Sequence, residues 1–317
     1  MMAKLVFLLE FLTLSSLLSC SLLTPATVAI NKTIHQVPVL ESEPQSLVSG
    51  PDHLAAVGVN TPQTGTLVIF LPGTGSSPGS ASLLLRAVLD LGHHVISLSY
   101  PNQIAMGTLA LNDLDLYGSL RREICFGIDS GSLSLNVTPP DSILNRIEKL
   151  LIHLSHEYPG ENWGNYIQSS GPRWDKIILS GFSQGSGHAA YLAQSFPVKK
   201  VVLFAGVVDG RVNVPQQSAT WIASNFWATP RANFYFFSNT TDGNFPAIEA
   251  NLFALGFDLN QSVDSDLPFN PETGNHIYLT KRNLGEKSHP SVCEDNATPL
   301  DSQGQPIFLP IWQVLFR

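Results

Sequence analysis

Ser180-Gly181-Phe182-Ser183-Gln184-Gly185 follows directly on the run Trp174-Asp175-Lys176-Ile177-Ile178-Leu179. The apolar run reads as a buried strand, and it leads into Gly-x-Ser-x-Gly. That pattern sets a serine on a sharp strand-to-helix turn, a nucleophile elbow. Both glycines have a steric reason, since a Cβ at either position would crowd the neighbouring strand or helix. Ser186-Gly187-His188-Ala189-Ala190-Tyr191-Leu192-Ala193-Gln194 then continues as a helix of small residues, able to pack close against a sheet. A short motif of such common residues takes its meaning from its context.

The 317 residues are 44% hydrophobic and only 13% charged, with a net charge of −8. Such a chain buries a large core. The acidic balance argues against a nucleic-acid partner, because a phosphate backbone attracts basic surfaces. Residues 1–20 have the form of a targeting segment: Lys4 supplies a positive charge and Leu5 to Leu18 is mostly apolar, too short to span a bilayer. Leu17-Leu18-Ser19-Cys20 resembles a bacterial lipobox, and a plain signal peptide with an incidental cysteine is the other reading. Either one implies export, as a secreted protein or as one held at a membrane through lipidated Cys20.

Residues 21–64 carry Pro, Ser, Thr, Gln and Glu with little periodicity, and read as an N-terminal arm with a short strand near Leu54 to Val59. Regular alternation begins at Gly65. Thr66 to Pro72 is a β-rich run, Gly73 to Gly79 a loop, and Ser80 to Leu91 a helix stopped by Gly92. His94 to Tyr100 is a second strand. Strand, helix and strand in so short a span form a βαβ unit, which requires a parallel sheet. An insertion, 103–173, holds a helix from Ser142 to Tyr158 with Asp141 as its N-cap; His153 and His156 read as surface residues of that helix. After the elbow come strands at Val198 to Ala205, Asn233 to Ser238 and Asn275 to Lys281. Helices are expected at Trp221 to Ala228, Ala247 to Leu255 and Ile307 to Phe316. The fold class is α/β, a mostly parallel, doubly wound sheet flanked by helices.

With its elbow in that alternation, the chain resembles the α/β-hydrolase superfamily over residues 65–317. The resemblance implies a Ser, acid, His order, with the partners of the serine on loops at the carboxyl ends of strands. Ser183 is then the nucleophile. His289, in Glu286-Lys287-Ser288-His289-Pro290-Ser291 just after the last strand, is the base. The remaining histidines are placed less well: His35 and His53 precede the regular sheet, His93, His94 and His276 lie at strand entries, and His188 lies down a helix. Asp242, in Asn239-Thr240-Thr241-Asp242-Gly243, follows the penultimate strand and is the expected acid. Asp209 follows the strand before and competes for the role. The oxyanion hole would be formed by the backbone amides of Gln184 and Thr74. The His-Gly-Gly-Gly of many lipases and esterases is absent.

The expected chemistry is cleavage of an ester or related acyl bond, on a small molecule or a polymer, through an acyl-enzyme. A non-catalytic binding protein on the same scaffold is the alternative, and a peptidase or a dehalogenase-like relative stands behind it; the serine disfavours the dehalogenase, which uses a carboxylate. No cofactor and no metal site is expected. Cys125 and Cys293 remain once the leader is removed, and read equally as buried thiols or as a bridge tying the histidine loop to the insertion. Asn-x-Ser/Thr sequons stand at Asn31, Asn136, Asn239, Asn260 and Asn296. A glycan on Asn239 would crowd Asp242, so a working Asp242 implies an unused sequon there.

Overall fold

A computed structural model describes residues 32–317 except 60, 112, 212–213, 215–216 and 271–273. The expected leader and Cys20 lie outside the described residues, as does Asn31. In chain order the elements are β1 (Lys32–Val37), α1 (Val39–Ser42), β2 (His53–Gly58), β3 (Leu67–Leu71), α2 (Ser82–Asp90) and β4 (His94–Ser97). The insertion holds α3 (Met106–Ala110), α4 (Leu116–Phe126), α5 (Ile143–Glu157) and a two-stranded ribbon, β5 (Ile167–Gln168) and β6 (Gly171–Pro172). There follow β7 (Ile177–Phe182), α6 (Gln184–Ser195), β8 (Lys200–Phe204), β9 (Phe234–Asn239), α7 (Phe245–Ala254), β10 (Val263–Asp264), β11 (Ile277–Thr280) and α8 (Leu309–Phe316).

Nine strands form one sheet in the order β1-β2-β4-β3-β7-β8-β9-β11-β10. β2 pairs antiparallel with both β1 and β4, and every other pairing in this sheet is parallel. β3, β7 and β8 form the centre. Their continuous apolar runs follow from burial on both faces, and the period of two divides them between two core layers. Leu67, Ile69 and Leu71 of β3 face the layer under α4, α5, α6 and α7. Val68 and Phe70 face the opposite layer, under α2 and α8.

The segment expected as an arm supplies β2, the short strand expected near Leu54 to Val59, and also β1, which is not expected, and so belongs to the sheet. Its polar composition is that of an edge: β1 keeps Ile34 61% exposed while Val37 is buried. The α5 cap is Ser142, whose hydroxyl accepts from the Asn145 amide. Asp141 is drawn away by Arg146, Ser46 and the amides of Leu47 and Val48, which fasten the chain between β1 and β2 to the start of α5. His156 is exposed on α5, whereas His153 is half-buried beside Glu41. The helix expected over Trp221 to Ala228 is a series of turns, with Trp221 buried.

Cys125 and Cys293 are both free and buried, which corrects the bridged reading. The reason is topological. Cys125 lies in the layer under α4 and Cys293 in the layer under α8, with the sheet between them, whereas a disulfide needs Cα atoms within about 7 Å.

Candidate active site

β7 ends at Phe182 and α6 begins at Gln184, so Ser183 alone makes the turn. Its φ of 53° and ψ of −116° lie outside the comfortable regions for an L-residue. Close packing on both sides enforces that conformation. A β-carbon on Gly181 would lie 2.4 Å from the carbonyl oxygen of Gly185, and one on Gly185 would lie 2.0 Å from that of Leu71. The Ser183 amide donates to the carbonyl of Phe204 at 2.9 Å, which pins the turn to the end of β8.

His289 comes to this turn from the loop after β11. Its Nε2 is 2.8 Å from Ser183 Oγ and its Nδ1 is 2.5 Å from Asp242 Oδ2. With the proton on Nδ1 donated to the carboxylate, Nε2 is left to accept from the serine hydroxyl. The Phe182 ring lies against the imidazole, with centroids 4.9 Å apart. Asp242 follows β9 and is buried; its second oxygen accepts from the Asn244 amide at 2.9 Å. The turn that carries it rests on Asn239, whose side chain donates to the carbonyl of Arg282 and accepts from the Thr241 amide. Asn239 is fully buried, so its sequon is closed to a glycan in the folded chain; Asn136, Asn260 and Asn296 are exposed.

Asp209 lies elsewhere in the site and is fully engaged. Both its oxygens accept from Arg121 of α4, and Trp221 Nε1 donates to it at 2.8 Å. Arg121 Nη1 also donates to the carbonyl of Gln184, at 3.2 Å. Buried His188 of α6 is held well below the usual imidazole range by burial and then by Arg121, and is neutral. Burial likewise pushes the Cys125 thiol up, so it is inert as a nucleophile.

Gln184 opens α6, so its amide has no acceptor within the helix and the helix dipole adds positive potential there. Thr74 lies on the loop after β3, joined to the elbow by its hydroxyl, which donates to Gln184 Oε1 at 2.7 Å. Gly73 allows that loop to approach, because a β-carbon there would lie 2.7 Å from the Phe182 ring. Three contributors carried no signal in the sequence. Asn102 clamps the Thr74 loop, Asn244 steadies Asp242, and Arg121 joins the insertion to Gln184 and Asp209. Asn102 and Arg121 act across long stretches of chain, whereas Asn244 acts within the turn that carries Asp242. Among the described residues no group of His, Cys, Asp and Glu could hold a metal ion, and no helix is long and apolar enough to cross a membrane.

No protein-family model and no curated protein matches the chain. Among solved structures, esterase B from Lactobacillus rhamnosis, crystallised with a tributyrin phosphonate, is similar at 14% identity and a TM-score of 0.46, covering 89% of this chain and 86% of that one. A bacterial heroin esterase is similar at 12% identity and 0.45, covering 90% and 85%. A hyperthermophilic esterase from the archaeon Pyrobaculum calidifontis is similar at 15% identity and 0.47, covering 90% and 83%. The strand order, with β2 alone running against the rest, and a serine on the tight turn between β7 and α6 give this chain the α/β-hydrolase fold.

Proposed function

We propose that the protein is an exported serine hydrolase that cleaves a carboxylic ester. One observation carries the reading: the unbroken hydrogen-bonded run from Ser183 Oγ through His289 to Asp242, on three loops at the carboxyl end of the sheet. Ser183 Oγ attacks the ester carbonyl as its proton passes to His289 Nε2. Asp242 keeps the imidazole in the required tautomer and stabilises the imidazolium. The carbonyl oxygen, now an oxyanion, takes hydrogen bonds from the amides of Gln184 and Thr74. As the tetrahedral intermediate collapses, the C–O bond to the alcohol breaks and His289 returns the proton to the leaving oxygen. Water then attacks the acyl-enzyme, giving one proton to His289, and the acid leaves as Ser183 recovers its own. Export rests on the form of residues 1–20 alone.

The test is labelling with a fluorophosphonate probe beside hydrolysis of p-nitrophenyl butyrate, with Ser183→Ala as control. Labelling at Ser183 and turnover that vanishes in the variant are expected. An unlabelled Ser183 with no turnover in folded protein would overturn the reading in favour of a non-catalytic binding protein.

A further inference from the structure

The cleft beside Ser183 has a volume of about 420 Å³, bounded by Met106 and Thr108 of α3, Tyr117 of α4 and Val208 after β8. That is near the small end for sites that take small molecules. An ion pair, rather than aliphatic side chains, lies against it at the elbow. Arg121 and Asp209 bound the cleft yet are 0% and 1% exposed. The guanidinium is committed to both carboxylate oxygens and to the Gln184 carbonyl, and Trp221 Nε1 completes the carboxylate.

Two glycines make room for this arrangement. A β-carbon on Gly187 of α6 would lie 2.0 Å from Arg121 Nη2, and one on Gly118 of α4 would lie 3.2 Å from the Trp221 β-carbon. Adjoining the pair is the apolar layer between α4 and α6, with Leu120, Ile124, Ala189 and Ala190. An apolar side chain at position 121 would extend that layer to the cleft.

We infer that the Arg121–Asp209 pair is a plug that limits how long an acyl chain the site accepts, and that the substrates are esters of short-chain acids. The inference rests on Ser183 being the nucleophile. The pair is already sealed from water, so an alkyl chain can pass it only by parting it. Parting a buried, fully bonded pair is strongly unfavourable, because each charge is left uncompensated. Methylenes that fit the cleft add binding; those beyond the plug add none.

The experiment is kcat/KM for p-nitrophenyl acetate, butyrate, hexanoate, octanoate and decanoate, on the wild type and on the double variant Arg121→Met/Asp209→Leu. Replacing both partners by apolar groups is tolerated where removing one is not. The wild type is expected to favour butyrate or a shorter ester over decanoate by about ten-fold or more. A wild-type profile that rises through decanoate overturns the plug, whether or not the variant folds. In the folded double variant the octanoate-to-butyrate ratio is expected to rise about ten-fold. The ratio cancels any effect on Gln184, which both esters share. A variant folded by circular dichroism with an unchanged ratio overturns the role of the pair. Ser183 labelled by fluorophosphonate together with a long-chain preference counts against the plug alone; an unlabelled Ser183 with no turnover takes down both readings.

Discussion

The carboxamide of Asn102 spans the turn on Gly73, donating to the Gly73 carbonyl at 2.6 Å and to that of Ser76 at 2.9 Å. The Asn102 carbonyl accepts from the Gly75 amide at 2.9 Å, so one residue holds three points of a four-residue turn. Thr74, at the crest, is exposed. Hydrogen bonds rather than packing therefore fix its amide, helped by Tyr100, whose hydroxyl donates to the Pro72 carbonyl at 2.5 Å. Ser76 Oγ donates to Glu294 at 2.6 Å and joins the same turn to the loop of His289.

If Thr74 supplies an oxyanion donor, Asn102→Ala should damage catalysis more than folding. Removing a true oxyanion donor costs about 10²–10³ in kcat, and loosening one should cost less, about ten- to a hundred-fold. KM should move little, because the loss appears as charge develops. The two lost hydrogen bonds amount to about 1–3 kcal/mol of stability. Steady-state kinetics and a thermal melt decide the matter. An unchanged kcat in a folded variant would remove the Thr74 turn from the oxyanion hole.

Asp242 and Asp209 should separate cleanly by the kind of damage each variant suffers. Asp242→Asn keeps the shape but favours the wrong imidazole tautomer, so kcat should fall by about 10³–10⁴ with stability within about 1 kcal/mol. Asp209→Asn leaves a buried guanidinium without its counter-charge, which costs about 3–5 kcal/mol. In a domain of this size that lowers Tm by roughly 5–15 °C. Melting curves and p-nitrophenyl butyrate kinetics on both variants are sufficient. The opposite pattern, a stable but inactive Asp209→Asn beside an active Asp242→Asn, would transfer the acid role to Asp209.

What could be read from the sequence was local or periodic. β3 and β7 declare themselves because a strand buried on both faces is apolar throughout, and the elbow because two glycines and a serine at fixed spacing have few structural uses. β1 stayed hidden, since an antiparallel edge strand is half-polar and looks like an arm. The α5 cap was displaced by one residue because Asp141 answers to Arg146 and Ser46, and no local rule contains that pairing. Arg121 lies 88 residues from Asp209 and 63 from Gln184, so its place in the site is a product of topology. The same holds for the two cysteines. Their parity suggested a bridge, but only the sheet between them decides that none forms.

His53 should make the fold sensitive to acid. It lies on β2, fully buried, with Nδ1 accepting from the Ser99 amide at 3.0 Å. Burial first, then the nearby charges of Arg146 and His153, lower its pKa from 6.5 to about 3. In the folded chain it stays neutral until that pH, whereas in the unfolded chain it protonates below 6.5. The unfolded state therefore binds the extra proton throughout the window from 6.5 down to about 3. Its contribution to stability is intact above the upper limit and is lost as pH falls towards the lower one. Each pH unit inside the window costs about 1.4 kcal/mol. Buried His188 is shifted in the same direction and adds to the slope. His53→Gln retains an acceptor for the Ser99 amide and does not titrate. Urea unfolding at about pH 7 and about pH 4.5 should show the wild type losing about 2–3 kcal/mol more than the variant over that interval. Equal losses in the two proteins would mean that His53 takes up its proton without unfolding, through an opening of β1 and β2 at the sheet edge rather than through the global transition.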